Sequence, residues 1–207
     1  DVTFTSPITL VSGSNPVTAT ISNVNGAGAD NNTADDSKYI NIDPIVPAAG
    51  KIVVGEEATG TWCQWCPRGA VFMDYMEDNY SGYWAGAAVH NGDPMEDSDY
   101  DSALGLPALP SGRIDRTYTS QLDPFNELHQ DMMQQLALIP PAGVEVSTTW
   151  DSNTREMTMT VSAEFAEDLS GDYRLAAIVV EDGVTGPAPS YDQSNSYSGG
   201  GNGAMGG

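Results

Sequence analysis

The chain has 207 residues with 29 acidic and 7 basic side chains, a net charge of −22, and 40% of its residues are hydrophobic. That size and apolar content suit one large domain or two small ones with a real core; the charge argues against a nucleic-acid partner, because phosphate contacts need cationic side chains; and no run of about 18 apolar residues exists to span a membrane. Two cysteines are too few for a small secreted disulfide framework, and the short loop between them would remove little chain entropy on closing, so their spacing points to chemistry before stapling.

Residues 1–48 read as β. Val2-Thr3-Phe4-Thr5, Val17-Thr18-Ala19-Thr20-Ile21 and Tyr39-Ile40-Asn41-Ile42 are β-branched, roughly alternating runs, separated by Asn and Gly clusters. Lys51-Ile52-Val53-Val54-Gly55 is a short apolar strand. Residues 66–80 carry a helical period, with Val71 and Tyr75, then Phe72 and Met76, meeting four apart. Ala85 to His90 is a second apolar strand, so β-α-β places the cysteines at a strand-to-helix junction. An acidic loop from Asp93 to Asp101 follows, then Leu109-Pro110-Ser111-Gly112 and a strand near Arg113-Ile114-Asp115. Asp123-Pro124 predicts a helix start, Asp as cap and Pro in the first turn. Its apolar face is Phe125, Leu128, Met132 and Leu136, and Pro140-Pro141 ends it. Val144 to Trp150 and Glu156 to Phe165 flank the turn Asp151-Ser152-Asn153 as a hairpin. The continuous apolar run Leu175 to Val180 predicts a buried strand. Tyr191 to Tyr197 alternates polar and aromatic residues, as an adhesive segment or a plain loop does. Asp1, with no initiator Met or apolar leader, is what a mature or trimmed product is expected to show, and the Gly-rich stretch from Ser198 to Gly207 leads us to expect a longer natural chain.

The cysteines stand in Thr61-Trp62-Cys63-Gln64-Trp65-Cys66-Pro67. A helix N-terminus offers unsatisfied N–H groups and partial positive charge, which favour a thiolate. In a CxxC pair the first sulfur is the exposed nucleophile and the second resolves the mixed disulfide; Cys63 and Cys66 take those roles. Arg68 adds positive potential, and Pro67 loses nothing by lacking an N–H in the first helical turn. Two other readings stay open here: an inert helix-terminal disulfide, and a zinc site completed by His90 and His129, whose spacing is unlike that of compact zinc modules.

Trp62-Cys63-x-x-Cys66 after a strand resembles the thioredoxin superfamily. The resemblance implies a buried acid six residues before the first cysteine, here Glu57, and a cis-proline loop against the pair, here Leu109-Pro110. The dipeptide Gln64-Trp65 departs from the Gly-Pro of thioredoxin, which leaves the redox direction open. More narrowly, Glu57 to Gly69, Pro110 to Arg116, and Val179-Val180-Glu181-Asp182-Gly183-Val184 resemble the outer-membrane-protein-related, twenty-eight-kilodalton type family of exported Bacteroidetes proteins. That resemblance spans roughly 50–207 and implies a thioredoxin-like domain joined to immunoglobulin-like parts. Residues 1–48 resemble, weakly, the immunoglobulin-like adhesion modules of such proteins.

His90 ends the second strand, where it would relay a proton to Cys63 or serve as a hydrogen-bonded strand-end histidine; His129 reads as structural. Asp97-x-Asp99-x-Asp101 imitates the start of a calcium loop without the Gly and Glu of an EF-hand, and its hard oxygens are candidate calcium ligands. Asp30, Asp35 and Asp36 form a weaker cluster. Ser102, in Asp101-Ser102-Ala103, matches a short O-glycosylation acceptor pattern of Bacteroidetes-type exported proteins. Asn31-Asn32-Thr33 and Asn79-Tyr80-Ser81 are N-glycosylation sequons.

The expected fold class is an α/β thioredoxin-like domain combined with β-sandwich, immunoglobulin-like segments: β-rich at 1–48, thioredoxin-like at 50–140, β-rich again at 143–207. The expected setting is secreted, periplasmic or outer cell surface, with a protein partner or self-assembly and no required cofactor. Two functions compete. One is thiol-disulfide exchange, with Cys63, Cys66, Glu57, Pro110 and His90 as its residues. The other is a structural or adhesive surface protein that uses the fold as a scaffold. The redox reading needs Cys63 to be reachable and fails if the β-segments bury it.

Overall fold

The computed structural model describes residues 6–23, 26, 31–32, 34–120, 128–199 and 203–206. The chain divides into two compact units, residues 1–46 and 47–207. In the first, β1 (Asn15–Thr20) pairs antiparallel with β2 (Ser37–Ile42). Both runs lie where β-branched residues predicted them; the run at Val2 to Thr5 lies outside the described residues.

The second unit holds a four-stranded sheet, in the order β4-β3-β5-β6. Its strands are β3 (Val53–Thr59), β4 (Trp84–His90), β5 (Ser111–Ile114) and β6 (Tyr118–Ser120). β3 and β4 run parallel, joined through α1 (Pro67–Asn79), while β5 is antiparallel to β3. α2 (Ser98–Leu104) and α3 (His129–Leu136) complete the helices among the described residues. Alternation along β3 decides what each helix covers. Val53, Gly55 and Glu57 share the face on which α1 and α3 pack. There Phe72, Met76, Trp84, Ile114, Leu128, Met132 and Leu136 join Val53 in one buried cluster, and each large side chain so buried contributes about 2 kcal/mol. Phe72 meets Trp84 edge to face at 6.1 Å. That ring lies so close to the strand that a Cβ on Gly55 would stand 1.8 Å from it.

Three expectations change, and one lies beyond test. The first central strand does not stop at Gly55 but continues through Glu56 and Glu57 to Thr59, because β4 and β5 flank it on both sides and take its backbone hydrogen bonds. The acidic loop is partly helix: Asp97 caps α2 by accepting the Tyr100 N–H, and Gly105 ends it at φ +58°. The Asp123-Pro124 start and Phe125 lie outside the described residues, and α3 runs from His129. Leu175 to Val180 is neither strand nor buried. Leu175 and Val179 are 54% and 67% exposed, for among the described residues no strand pairs with this run.

β7 (Ala142–Asp151) and β8 (Glu156–Phe165) form the expected hairpin. Its turn is fixed by Asp151 Oδ1, which accepts the Asn153 N–H at 2.8 Å. The cross-strand pairs Val144–Ala163, Val146–Val161 and Trp150–Met157 share one face, yet Val144, Val146 and Trp150 are largely exposed. The described strands thus make one four-stranded and two two-stranded sheets, a mixed α/β arrangement with several small sheets.

Candidate functional site

Cys63 and Cys66 form a disulfide, Cα atoms 5.4 Å apart. The loop leaving β3 turns tightly, with the Cys63 N–H on Gly60 O at 2.9 Å and the Cys66 N–H on Cys63 O at 3.1 Å. Cys66 then stands as the residue before α1, with Pro67 in the first turn. Cys63 is 4% exposed and Cys66 1%, so the first cysteine is not the exposed sulfur expected from the motif; in this oxidised form it is buried, and the segment 189–197 described below bonds to its loop.

Glu57 lies under this junction. Its carboxyl reaches the first turn of α1, where a Cβ on Gly69 would stand 1.6 Å from Oε1. The Gly69 N–H in turn donates to Cys66 O at 2.9 Å. Glu57 is buried, and its Oε1 has no hydrogen-bond partner among the described residues. Burial, with the nearby Asp74 charge adding to it, pushes this carboxyl from its ordinary 4.5 up to about 8. An acid so placed is neutral over most of the physiological range.

Glu56, next along the strand, points to the other face and has the opposite environment. It accepts from Arg116 Nε at 2.9 Å and Nη2 at 2.6 Å, and from the Tyr100 hydroxyl. Burial pushes its carboxyl up, but the Arg116 and Tyr100 hydrogen bonds outweigh that and hold it below its ordinary value. Arg116 sits in the left-handed region at φ +52°, after Asp115 at φ +47°. Asp115 secures the turn by accepting the Val54 N–H at 2.8 Å and pairing with Lys51. The sequence reading missed Glu56, Tyr100 and Arg116 as a group.

The Leu109–Pro110 peptide is cis. Because Ser111 pairs with Ala58, Pro110 stands at the end of β3 from which the CxxC loop departs. His90 stands at the same end, paired with Thr59. Its Nδ1 donates to Asp93 Oδ2 at 2.7 Å, and the same oxygen accepts the Thr61 N–H at 2.9 Å. Burial raises the Asp93 carboxyl, but these bonds together hold it below its ordinary value. His90 thus braces the loop before Cys63 through Asp93. Trp62 adds a second brace, donating from Nε1 to Asn91 O at 2.7 Å. Arg68 is half-buried, its Nε without a hydrogen-bond partner among the described residues. His129 lies apart, its Nε2 bonded to the Tyr80 hydroxyl at 2.6 Å.

Asp97 and Asp101 are engaged in protein contacts, Asp97 as the α2 cap and Asp101 accepting from Asn91 Nδ2 at 2.8 Å. With Asp99 they lie on or beside the first turn of α2, and among the described residues no group of three or more His, Cys, Asp and Glu could hold a metal ion. Ser102 is exposed on α2. No helix among the described residues is long and apolar enough to cross a membrane.

The stretch around Tyr191 to Tyr197, read from sequence as an adhesive segment or a plain loop without a link to the cysteines, completes the site. Residues 189–197 run across the CxxC loop. The Ser194 N–H donates to Thr61 O at 2.7 Å and the Ser196 N–H to Gln64 O at 2.9 Å. The Gln193 carboxamide donates to Cys63 O at 2.9 Å, and Tyr197 meets Trp65 edge on at 5.5 Å.

No family model matches the chain, and no curated protein matches it. Among solved structures it is similar to HBP35 of Porphyromonas gingivalis, with 23% sequence identity, a TM-score of 0.44, and coverage of 56% of this chain and 43% of that one. The chain therefore spans less than half the length of that protein.

Proposed function

We propose that the chain is an extracytoplasmic thioredoxin-like protein whose Cys63–Cys66 pair carries out thiol-disulfide exchange. The observation that carries this reading is Glu57. A buried carboxyl without a hydrogen-bond partner costs stability, and this one lies beneath the turn that bears the resolving cysteine, where a proton acceptor serves the reaction. An oxidised CxxC and an acidic composition support a setting outside the cytoplasm.

In the reduced protein the Cys63 thiolate attacks one sulfur of a substrate disulfide. A mixed disulfide forms and one substrate thiolate leaves. Cys66, giving its proton to Glu57 in the fraction of molecules whose carboxyl is ionised, a fraction that grows as the pH rises toward 8, attacks Cys63 Sγ; the second substrate thiolate leaves and the Cys63–Cys66 bond forms. The substrate gains two electrons, the pair loses two, and an external dithiol resets it. Pro110 flanks the pair, and His90 positions the loop through Asp93.

A second reading, the scaffold, is favoured by one observation: Cys63 is 4% exposed. Disulfide reduction of a test protein such as insulin separates the two. The redox reading expects turnover by the wild type, its loss in Cys63→Ser, and a rate inflection near pH 8 that disappears in Glu57→Gln. Equal rates in wild type and Cys63→Ser would leave the scaffold.

A further inference from the structure

We propose that the CxxC loop is a docking surface for a short peptide segment, and that residues 189–197 occupy it in cis as a displaceable strap that gates the disulfide. The inference rests on the redox reading for its purpose, but its physical content stands on the contacts.

The strap binds as a ligand would. Ser194 and Ser196, two residues apart, donate their N–H groups to Thr61 O and Gln64 O, three residues apart on the CxxC turn, so backbone hydrogen bonds hold the segment without a strand ladder. Between them in chemistry lies the Gln193 carboxamide, directed at a cluster of carbonyls: Cys63 O at 2.9 Å, Gly60 O at 3.3 Å and Thr61 O at 3.4 Å. At one end Thr61 Oγ1 donates to Ser190 O at 3.0 Å. At the other, the Ser196 hydroxyl bonds the Gln64 side chain and Tyr197 rests on the edge of Trp65. The surface therefore fits a short segment, without regular structure over 193–195 and turned at both ends, that offers backbone N–H groups, a carboxamide and, a few residues on, an aromatic ring.

Two observations make the strap removable. Ser190, Asp192, Gln193, Ser194 and Ser196 are all exposed and no residue of 189–197 is fully buried; the segment is held by hydrogen bonds, those of Gln193 and Thr61 partly buried, by the Tyr197–Trp65 ring contact and by the Asn195 bond to Met205 O. The strap also bridges more than it packs: a cleft of about 490 Å³ lies between it and the loop, lined by Trp62, Asp93, Pro94, Pro189, Asp192 and Ser194 among others. Trp62 and Trp65 remain 54% and 49% exposed with the strap in place, as a rim for an incoming partner.

Reduction by a dithiol follows a defined path. A dithiothreitol thiolate attacks Cys63 Sγ and the Cys66 thiolate leaves. The second dithiothreitol thiolate then displaces Cys63, so the pair gains two electrons and dithiothreitol becomes a cyclic disulfide. The test compares full-length wild type with a Gln193→Ala/Tyr197→Ala double variant. Free thiols are trapped with iodoacetamide during reduction and counted by mass, and amide hydrogen exchange is followed over 189–197 and 60–65. The variant is expected to exchange faster in both segments, with α1 unchanged, and to be reduced roughly tenfold faster, the effect of losing contacts that favour the seated strap by a modest equilibrium factor. A synthetic peptide of residues 188–199, added to the variant, is expected to slow reduction again. Faster exchange with an unchanged reduction rate overturns the gate; a peptide without effect overturns the docking surface. Neither result bears on turnover of a protein disulfide, and loss of that turnover with faster reduction would overturn the redox function while leaving the strap.

Discussion

The two faces of β3 carry the same chemical group in opposite states. On one side Glu56 is buried under Arg116 and Tyr100, ionised and held by charge-assisted hydrogen bonds. On the other, one residue along, Glu57 is buried against Gly69 and the α1 junction, and among the described residues it has no paired cation and its Oε1 has no hydrogen-bond partner. The difference is not burial, since both are 2% exposed. It is the partner. The paired face reads as architecture, fastening the turn after β5 to the middle of the sheet. The unpaired face reads as stored proton chemistry, because stability alone offers no reason to keep a lone carboxyl there.

The largest expected effect comes from removing the unpaired acid. With its carboxyl raised from 4.5 to about 8, the folded state holds a proton that the unfolded state has lost. Stability is full below about pH 4.5 and falls as pH rises toward 8, by on the order of 5 kcal/mol. Glu57→Gln is expected to flatten that decline in urea titrations run from pH 4.5 to 8; a variant that keeps the wild-type slope would place the proton elsewhere. Arg116→Ala is expected to turn Glu56 into a second Glu57. With Arg116 half exposed, the loss at pH 7 is about 2–3 kcal/mol, and it should shrink as the pH falls, first through the raised value of the now unpaired carboxyl and then through the depressed value of the paired one. A pH-independent loss would mean that the arginine acts by packing alone. Gly69→Ala should cost about 1–3 kcal/mol by forcing the Glu57 carboxyl or the helix start aside; it is checked by thermal unfolding of the single variant and of Gly69→Ala/Glu57→Ala, in which much of the loss should be restored. Tyr100→Phe removes one donor of several from Glu56 and is expected to lose about 1 kcal/mol, visible as a small shift of the urea midpoint at pH 7 that diminishes as the pH is lowered and the carboxyl protonates.

Much of this site could be read from residue order. The CxxC at a strand-to-helix junction follows from the apolar run before it and the four-residue period of Phe72 and Met76 after it. The hairpin at Asp151-Ser152-Asn153 follows from turn chemistry local to three residues. What could not be read depends on distant partners. The strand seemed to end at Gly55 because two consecutive glutamates look like an exit to solvent; their burial is possible only through Arg116 and through a proton, neither of which leaves a pattern in the strand itself. Leu175 to Val180 failed in the reverse sense, for hydrophobicity signals a demand for burial without supplying the neighbouring strand. The strap left almost no trace, since serines, a glutamine and tyrosines have no period, and their partners are backbone carbonyls that every residue possesses.

The contact between Gln193 and Cys63 spans 130 residues, and that distance is also an interval of time. A chain emerging N-terminus first at about 5–20 residues per second presents its cysteine loop roughly 6–26 s before the segment that covers it. In a chain exported as it is made, the pair reaches the oxidising compartment in that window and can be oxidised there, without any need to lift the cover. The newborn protein thus has an openness that the finished one lacks, and order of synthesis alone can charge the disulfide before the door closes.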